Sequence, residues 1–223
     1  MILSSTNQKI QDGDIFVVSQ KIISKQEGRT VKLSEVIPSN LALGISAEYK
    51  KDSKLIEVIL SESKRIVRME NGIIIVETNH GFICANAGVD ESNVDAGYAT
   101  MLPLDSDKSA LSIQVQVYEK TKKKIAVIIS DTFGRPFRMG QTNSSIGIAG
   151  IDSILNYEGT QDSFGKILRV TAIAIADEIS SAAELVMGKI LYCPVVIVRN
   201  YKYKESVSTI NSIIRPEKDD LFR

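Results

Sequence analysis

The chain has no tryptophan, one histidine, two cysteines and five prolines, and only 6% of its 223 residues are aromatic. A single histidine leaves no partner for a His-centred metal site, and a Ser-His-Asp triad finds little support. Cys84 and Cys193 show no metal-ligand spacing, and both fall in or beside apolar stretches. They read as buried, reduced thiols, which suits a reducing compartment. Excess charge is missing too: 27 basic residues balance 27 acidic ones. No bulk field therefore recruits nucleic acid or an anionic membrane, and any anion must be held by a local site. The longest basic run, residues 120–124, is interrupted by Thr121 and reads as a solvated helix end. Long apolar runs are absent, with none near the ~20 residues that span a bilayer. The start, Met1-Ile2-Leu3-Ser4-Ser5, has no basic segment before an apolar one, so no export signal is legible there. A cytoplasmic location is expected. G-x-x-x-x-G-K-[ST] does not occur, which excludes a P-loop.

What is present is a 43% apolar chain with mixed periodicities. Asp12-Gly13-Asp14 is a turn, and the continuous apolar run 15–18 after it predicts a buried strand. Ser39 caps a helix through Tyr49, and Asp52-Ser53 cap a second carrying Leu55, Ile56, Ile59 and Leu60. Residues 73–76 and 82–85 form a hairpin around Asn79-His80-Gly81, where His80 is a turn residue. Leu111, Ile113, Val115 and Val117 alternate like a strand, but the flanking residues favour a helix. Residues 125–129, 145–151, 168–175 and 195–198 are further strands. Ile179, Ala182, Ala183 and Val186 mark a helix stopped near Gly188. These elements make one mixed α/β (α+β) domain over 1–223, its sheets largely antiparallel with packed helices.

Three polar clusters interrupt the apolar pattern. The first, Ser130-Asp131-Thr132-Phe133-Gly134-Arg135-Pro136-Phe137-Arg138, follows the run 125–129. A strand tip presenting a carboxylate beside a hydroxyl suits Mg²⁺ or Mn²⁺, hard ions that take oxygen ligands. Arg135 and Arg138 are expected in a glycine-containing loop where they could clamp phosphate. A plain Asp-turn with two surface arginines is the alternative. The second cluster, Asn86-Ala87-Gly88-Val89-Asp90-Glu91-Ser92-Asn93, reads either as a capped turn or as the source of a second acid. Were Asp90 and Asp131 within ~4 Å, they would repel by about 4 kcal/mol at an effective dielectric of 20, a conflict a divalent ion removes. In the third, Lys21, Lys25 and Arg29 recur every four residues after Ser19-Gln20, as a phosphate-facing comb or a solvated face.

Together the clusters resemble the coenzyme F420-0:L-glutamate ligase (gamma-glutamyl ligase) family. The likeness runs through Ser19-Gln20-Lys21, Ser24-Lys25, Glu27-Gly28-Arg29, Cys84-Ala85-Asn86-Ala87-Gly88-Val89-Asp90 with Ser92-Asn93, and Ser130-Asp131-Thr132-Phe133-Gly134-Arg135-Pro136. It continues through Gly140-Gln141-Thr142, Ile146-Gly147-Ile148-Ala149-Gly150 and Met187-Gly188-Lys189, over about residues 10–200. The resemblance implies a homodimer sharing an antiparallel sheet, and GTP-dependent joining of L-glutamate to the F420-0 carboxylate, then to successive γ-carboxylates. By position it implies Asp90, Asp131 and Thr132 as metal ligands for Mg²⁺ or Mn²⁺, with room for a monovalent ion such as K⁺. Ser19, Gln20, Lys25 and Asn93 are implied as nucleotide contacts. Asp131 with Arg135 and Arg138 forms the expected catalytic group, the arginines being added from their chemistry. Three departures stand out. The family's leading segment is expected to be absent or shortened, Asn143 stands where many bacterial relatives place Asp, and Ile190-Leu191-Tyr192-Cys193 stands where relatives usually have a glycine-rich turn. A related amide ligase on another carboxylate, and a non-catalytic F420- or nucleotide-binding dimer, are the rival readings.

Overall fold

The computed structural model describes residue 3 and residues 8–221. The start read for a missing export signal, Met1 to Ser5, lies outside the described residues except for Leu3. The strands are β1 (Ile15–Ser19), β2 (Thr30–Lys32), β3 (Ser63–Glu70), β4 (Ile73–Thr78), β5 (Ile83–Ala85) and β6 (Tyr98–Thr100). They continue with β7 (Ala126–Arg135), β8 (Arg138–Ala149), β9 (Leu155–Asn156), β10 (Ala172–Ile173) and β11 (Val195–Val198). The helices are α1 (Gln20–Gln26), α2 (Asn40–Tyr49), α3 (Ser53–Ser61), α4 (Ser106–Thr121) and α5 (Ile175–Met187). The fold is mixed α/β with several small, mostly antiparallel sheets. The chain falls into two compact units.

One unit comprises residues up to Ser19, Ser106–Thr132 and Thr142–Arg215. Its sheet runs β11-β1-β7-β8. β1 is antiparallel to β11 but parallel to β7, the parallel pair of an otherwise antiparallel architecture. Ile15 to Val18 and Ala126 to Ile129 are fully buried, which explains why both read as unbroken apolar runs instead of alternating ones. Burying each such side chain contributes roughly 1.5–3 kcal/mol. Helix α5 packs on β1 and β11 through Ile175, Ala176, Ile179, Ala183 and Met187. It stops at Gly188, whose φ of +55° suits glycine. In α4, Ala110 and Val117 are buried, and Ile113 shares their stripe at i, i+3, i+7. Leu111 and Val115 face outward, so the period-two pattern belonged to a helix.

The other unit comprises Gln20–Asp105, Phe133–Gln141 and residues from Pro216. Here α2 and α3 cover the sheet β3-β4-β5, with Ile45, Ile56, Ile59, Ile74 and Val76 at the centre of the core. Both expected caps are present: Ser39 accepts from Ala42 N at 3.3 Å, and Asp52 Oδ1 from Lys54 N at 2.8 Å. The β4–β5 hairpin closes through Thr78 N to Phe82 O, 2.8 Å. His80 sits in that turn, its Nε2 2.8 Å from Pro103 O.

Four expectations need correction. Over 168–175 only Ala172–Ile173 forms a strand, paired with β9, because Val170 and Ala172 are exposed and the alternation buries no face. Arg135 and Arg138 are not in a loop. They end β7 and begin β8, with Pro136-Phe137 as a two-residue turn and Phe137 at φ +60°. Asp131 and Thr132 accordingly sit within a ten-residue strand and not at its tip. Of the cysteines, both are free, Cys84 buried and Cys193 partly exposed.

Candidate active site

In the first unit the parallel register sets Ser19 beside Ser130 as Cα partners. The end of β1 and the start of the Ser130-Asp131-Thr132 segment thus share one side of the sheet. Ser19 N is fixed by Pro194 O of the segment entering β11, at 2.8 Å. Thr132 donates its hydroxyl to Asn143 Oδ1 on β8 at 2.7 Å, and accepts from the Lys189 ammonium just beyond α5. Asn143 is buried, with its amide 3.4 Å from Ser130 Oγ and its carbonyl accepting from Ser181 at 2.9 Å. The departure at 143 is therefore a neutral oxygen donor seated directly on Thr132.

The second unit begins in sequence with α1, at Gln20. Gln20 and Ser24 face inward, Gln20 Nε2 donating to Ser24 Oγ at 2.6 Å and to Met101 O at 3.2 Å. Lys21 and Lys25, one turn apart on the same face, both reach the loop after Val89. Lys25 donates to Asn93 O at 2.5 Å. Lys21 donates to Asp90 Oδ2, and to Ser92 O and Oγ at 2.7 and 3.0 Å. Arg29 is not part of this comb: it pairs with Glu62 at 2.6 Å and donates to Leu102 O. Lys21, Lys25, Asp90 and Asn93 are thus gathered on one loop, whereas Gln20 turns to Ser24 and Met101 O. Sequence reasoning left Lys21 as an undecided tooth of the comb, although its spacing from Lys25 already put it on the same face.

The loop is rigidly built. Asn86, Ala87 and Gly88 are three successive residues at φ between +53° and +70°, and Asn93 follows at +54°. Left-handed backbone at non-glycine residues costs of order 1–3 kcal/mol each and collects at functional sites. A Cβ on Gly88 would lie 2.7 Å from the buried Leu102 side chain, so any side chain there must displace it. Asp90 and Thr100 exchange backbone hydrogen bonds at 2.9 and 3.0 Å, and Ser92 N caps Asp90 Oδ1 at 2.8 Å. Burial raises the Asp90 pKa, but hydrogen bonds from Lys21 and Ser92 and the Lys21 charge outweigh it, holding the carboxyl below its ordinary value. Asn86 Oδ1 is buried without a hydrogen-bond partner.

Among the described residues no three His, Cys, Asp or Glu side chains gather as a metal-binding group. The polar groups at hand are instead single carboxylates with neutral oxygens: Asp90 with Ser92, and Asp131 near Thr132 and Asn143 in sequence and on the paired strand. An all-oxygen donor set of this kind fits a hard divalent ion. Arg135 donates to Met139 O across the β7–β8 turn at 2.9 Å, and Arg138 is exposed on the same hairpin.

Comparison with known proteins gives a consistent result. A family model described as F420-0:Gamma-glutamyl ligase matches residues 1–200. A coenzyme F420:L-glutamate ligase of Methanothermobacter thermautotrophicus is 44% identical, the alignment covering 100% of this chain and 91% of that protein. Proteins of the same name from Methanocaldococcus jannaschii and Methanopyrus kandleri are 43% and 38% identical, covering 96% and 99% of this chain and 86% and 90% of theirs. No helix among the described residues is long and apolar enough to cross a membrane.

Proposed function

Because the chain belongs to the F420-0:gamma-glutamyl ligase family, we propose that it ligates L-glutamate to F420-0, and then to successive γ-carboxylates, at the expense of GTP. The observation that carries this reading is the near-full-length likeness to relatives named for that ligation. The geometry supplies groups suited to it.

A carboxylate does not condense with an amine in water until one of its oxygens becomes a leaving group. In the proposed route the F420-0 carboxylate attacks the γ-phosphorus of GTP, the β–γ bridge bond breaks, and GDP leaves with an acyl phosphate formed. The glutamate nitrogen then attacks the acyl carbon, phosphate departs and the nitrogen loses a proton. No side-chain nucleophile is needed, consistent with a chain holding one histidine, in a hairpin turn. The difficulty is anion meeting anion, which fixed cations and aligned donors offset.

Asp90, Asp131 and Thr132 would hold Mg²⁺ or Mn²⁺, with Asn143 adding a neutral oxygen and K⁺ as a monovalent companion. The divalent ion, when bound, would neutralise phosphate charge and orient the in-line transfer. Lys25, with Ser19, Gln20 and Asn93, would bind the nucleotide. Helix α1 carries Gln20 and Lys25, and the buried Gln20–Ser24 bond fixes the first of them. Arg135 and Arg138, on the β7–β8 hairpin, would clamp phosphate or the acyl phosphate.

In the homodimer, a second copy of the chain would cover exposed apolar side chains of the first unit, Val170 among them. Incubating the protein with F420-0, GTP, glutamate and Mn²⁺ and reading product masses tests the reaction. A ladder of glutamate additions with matching GDP release is expected, and an unmodified F420-0 beside an active relative would overturn the proposal. Sedimentation of the Val170→Asp variant, expected to be monomeric, tests the surface.

A further inference from the structure

Lys21 satisfies all three of its ammonium donors on one short loop. They go to Asp90 Oδ2, Ser92 O at 2.7 Å and Ser92 Oγ at 3.0 Å. The oxygens are themselves tied together, Ser92 Oγ donating to Asp90 Oδ2 at 2.5 Å and Ser92 N to Asp90 Oδ1 at 2.8 Å. Backbone bonds to Thr100 hold the peptide beneath them. The result is a three-oxygen cradle, one member a carboxylate, already filled by a cation that belongs to the chain. A second lysine stands on the other expected ligand set, where the Lys189 ammonium caps Thr132 Oγ1.

We propose that Lys21 is a built-in competitor for the divalent ion at Asp90: its ammonium and the ion use the same oxygens, so the ion enters only as Lys21 leaves. The inference rests on the reading of Asp90 as a metal ligand. Three physical points carry it. An ammonium in this cradle would stand within a few ångströms of any ion on Asp90 Oδ2, where a double and a single positive charge repel strongly even at water-like dielectric. Lysine is a point charge on a flexible stem and can withdraw without moving its helix. That helix is anchored independently by Gln20 and Ser24, so loss of the Lys21 contacts leaves α1 in place.

A purely structural staple makes the opposite prediction. If Lys21 only held the loop in shape, removing it would loosen Asp90 and weaken the ion. The test is titration with Mn²⁺ alone, read by the paramagnetic signal of the free ion, on the wild type, Lys21→Met, Asp90→Asn and the double variant. Methionine keeps the apolar stem and removes the charge. Lys21→Met is expected to bind Mn²⁺ about tenfold more tightly or better, with the gain absent from the double variant. Affinity equal to or below wild type in Lys21→Met, with Asp90→Asn still impaired, overturns the competitor and leaves Asp90 as a ligand. Wild-type Mn²⁺ binding in Asp90→Asn would overturn the ligand assignment itself, and the inference with it.

Discussion

Ser19 and Ser130 are Cα partners across the parallel pair β1–β7, although 111 positions separate them in sequence. Parallel strands send their carboxyl ends to the same side, and ligands of open α/β sheets collect beyond such ends. One register thereby joins the segment that leads into α1 to the segment carrying Asp131 and Thr132.

Asp131 is the acid of that segment, and its replacement by asparagine preserves shape while removing charge. Asp131→Asn is expected to fold as the wild type does and to lose about 10²–10³ in kcat, the scale of one preorganised electrostatic contact. Steady-state rates at saturating Mn²⁺, with melting curves as the folding control, check this. Unaltered turnover would remove Asp131 from the catalytic group.

Lys25 reaches Asn93 O from the exposed face of α1. Lys25→Ala is expected to weaken GDP binding in the presence of Mn²⁺ by roughly tenfold, ~1.4 kcal/mol. Lys32→Ala, on β2, should leave it unchanged. Calorimetric titration of the three proteins decides, and equal affinities would make Lys25 a staple of the loop alone.

Gly88 combines a φ of +70° with a Cβ position 2.7 Å from Leu102. Gly88→Ala must strain the backbone and displace a fully packed leucine, at a cost of about 1–3 kcal/mol. For a chain of this size that lowers Tm by roughly 2–4 °C per kcal/mol. A variant melting with the wild type would mean that the turn relaxes freely.

Much of the fold was legible because it is locally encoded. The apolar runs of β1 and β7 needed no alternation, since both faces are buried, and the Ser39 and Asp52 caps announced α2 and α3. What failed was non-local. Nothing in 15–18 or 125–129 states that the two strands pair, or that they do so in parallel. β7 runs on through Asp131 to Arg135 because it is paired with β8, whereas polar residues after an apolar run look like a loop. Leu168, Val170 and Ala172 alternate without a core to face. In the site, the residue types were readable but their partners were not. Lys21 became distinct from Arg29 only once one was seen on Asp90 and the other on Glu62.

The Asp90–Lys21 pair makes stability depend on pH in the metal-free protein. The folded pKa of Asp90 is depressed, so its contribution is fully present above the unfolded carboxylate value of about 3.9 and is lost as pH falls through the folded value. Its half-exposed carboxylate limits that contribution to about 1 kcal/mol. With chelator present, Asp90→Asn should melt slightly below the wild type at pH 6, and the gap should close below about pH 4. A gap that persists unchanged in acid would show that shape, not charge, sets the effect.

Asn143 offers a sharper test of where a cation is held in the first unit. It is buried at 5% exposure, its Oδ1 accepting from Thr132 at 2.7 Å, with the Lys189 ammonium on the far side of that hydroxyl. Asn143→Asp keeps the acceptor and turns it into an anion. Ser130 Oγ, 3.4 Å from the lost amide, can rotate to donate instead. Without metal the buried charge would rely on Lys189, and leaving a carboxylate poorly paired is destabilising. The variant should therefore melt below the wild type in chelator. A divalent ion held by Asp131 and Thr132 would find a further hard ligand in the introduced carboxylate, and a ligand that binds only the folded state raises stability with its affinity. Mn²⁺ should thus raise Tm by several degrees more in the variant than in the wild type, closing or reversing the gap. Equal Mn²⁺ shifts in both proteins would place the ion elsewhere than at Thr132 and Asn143.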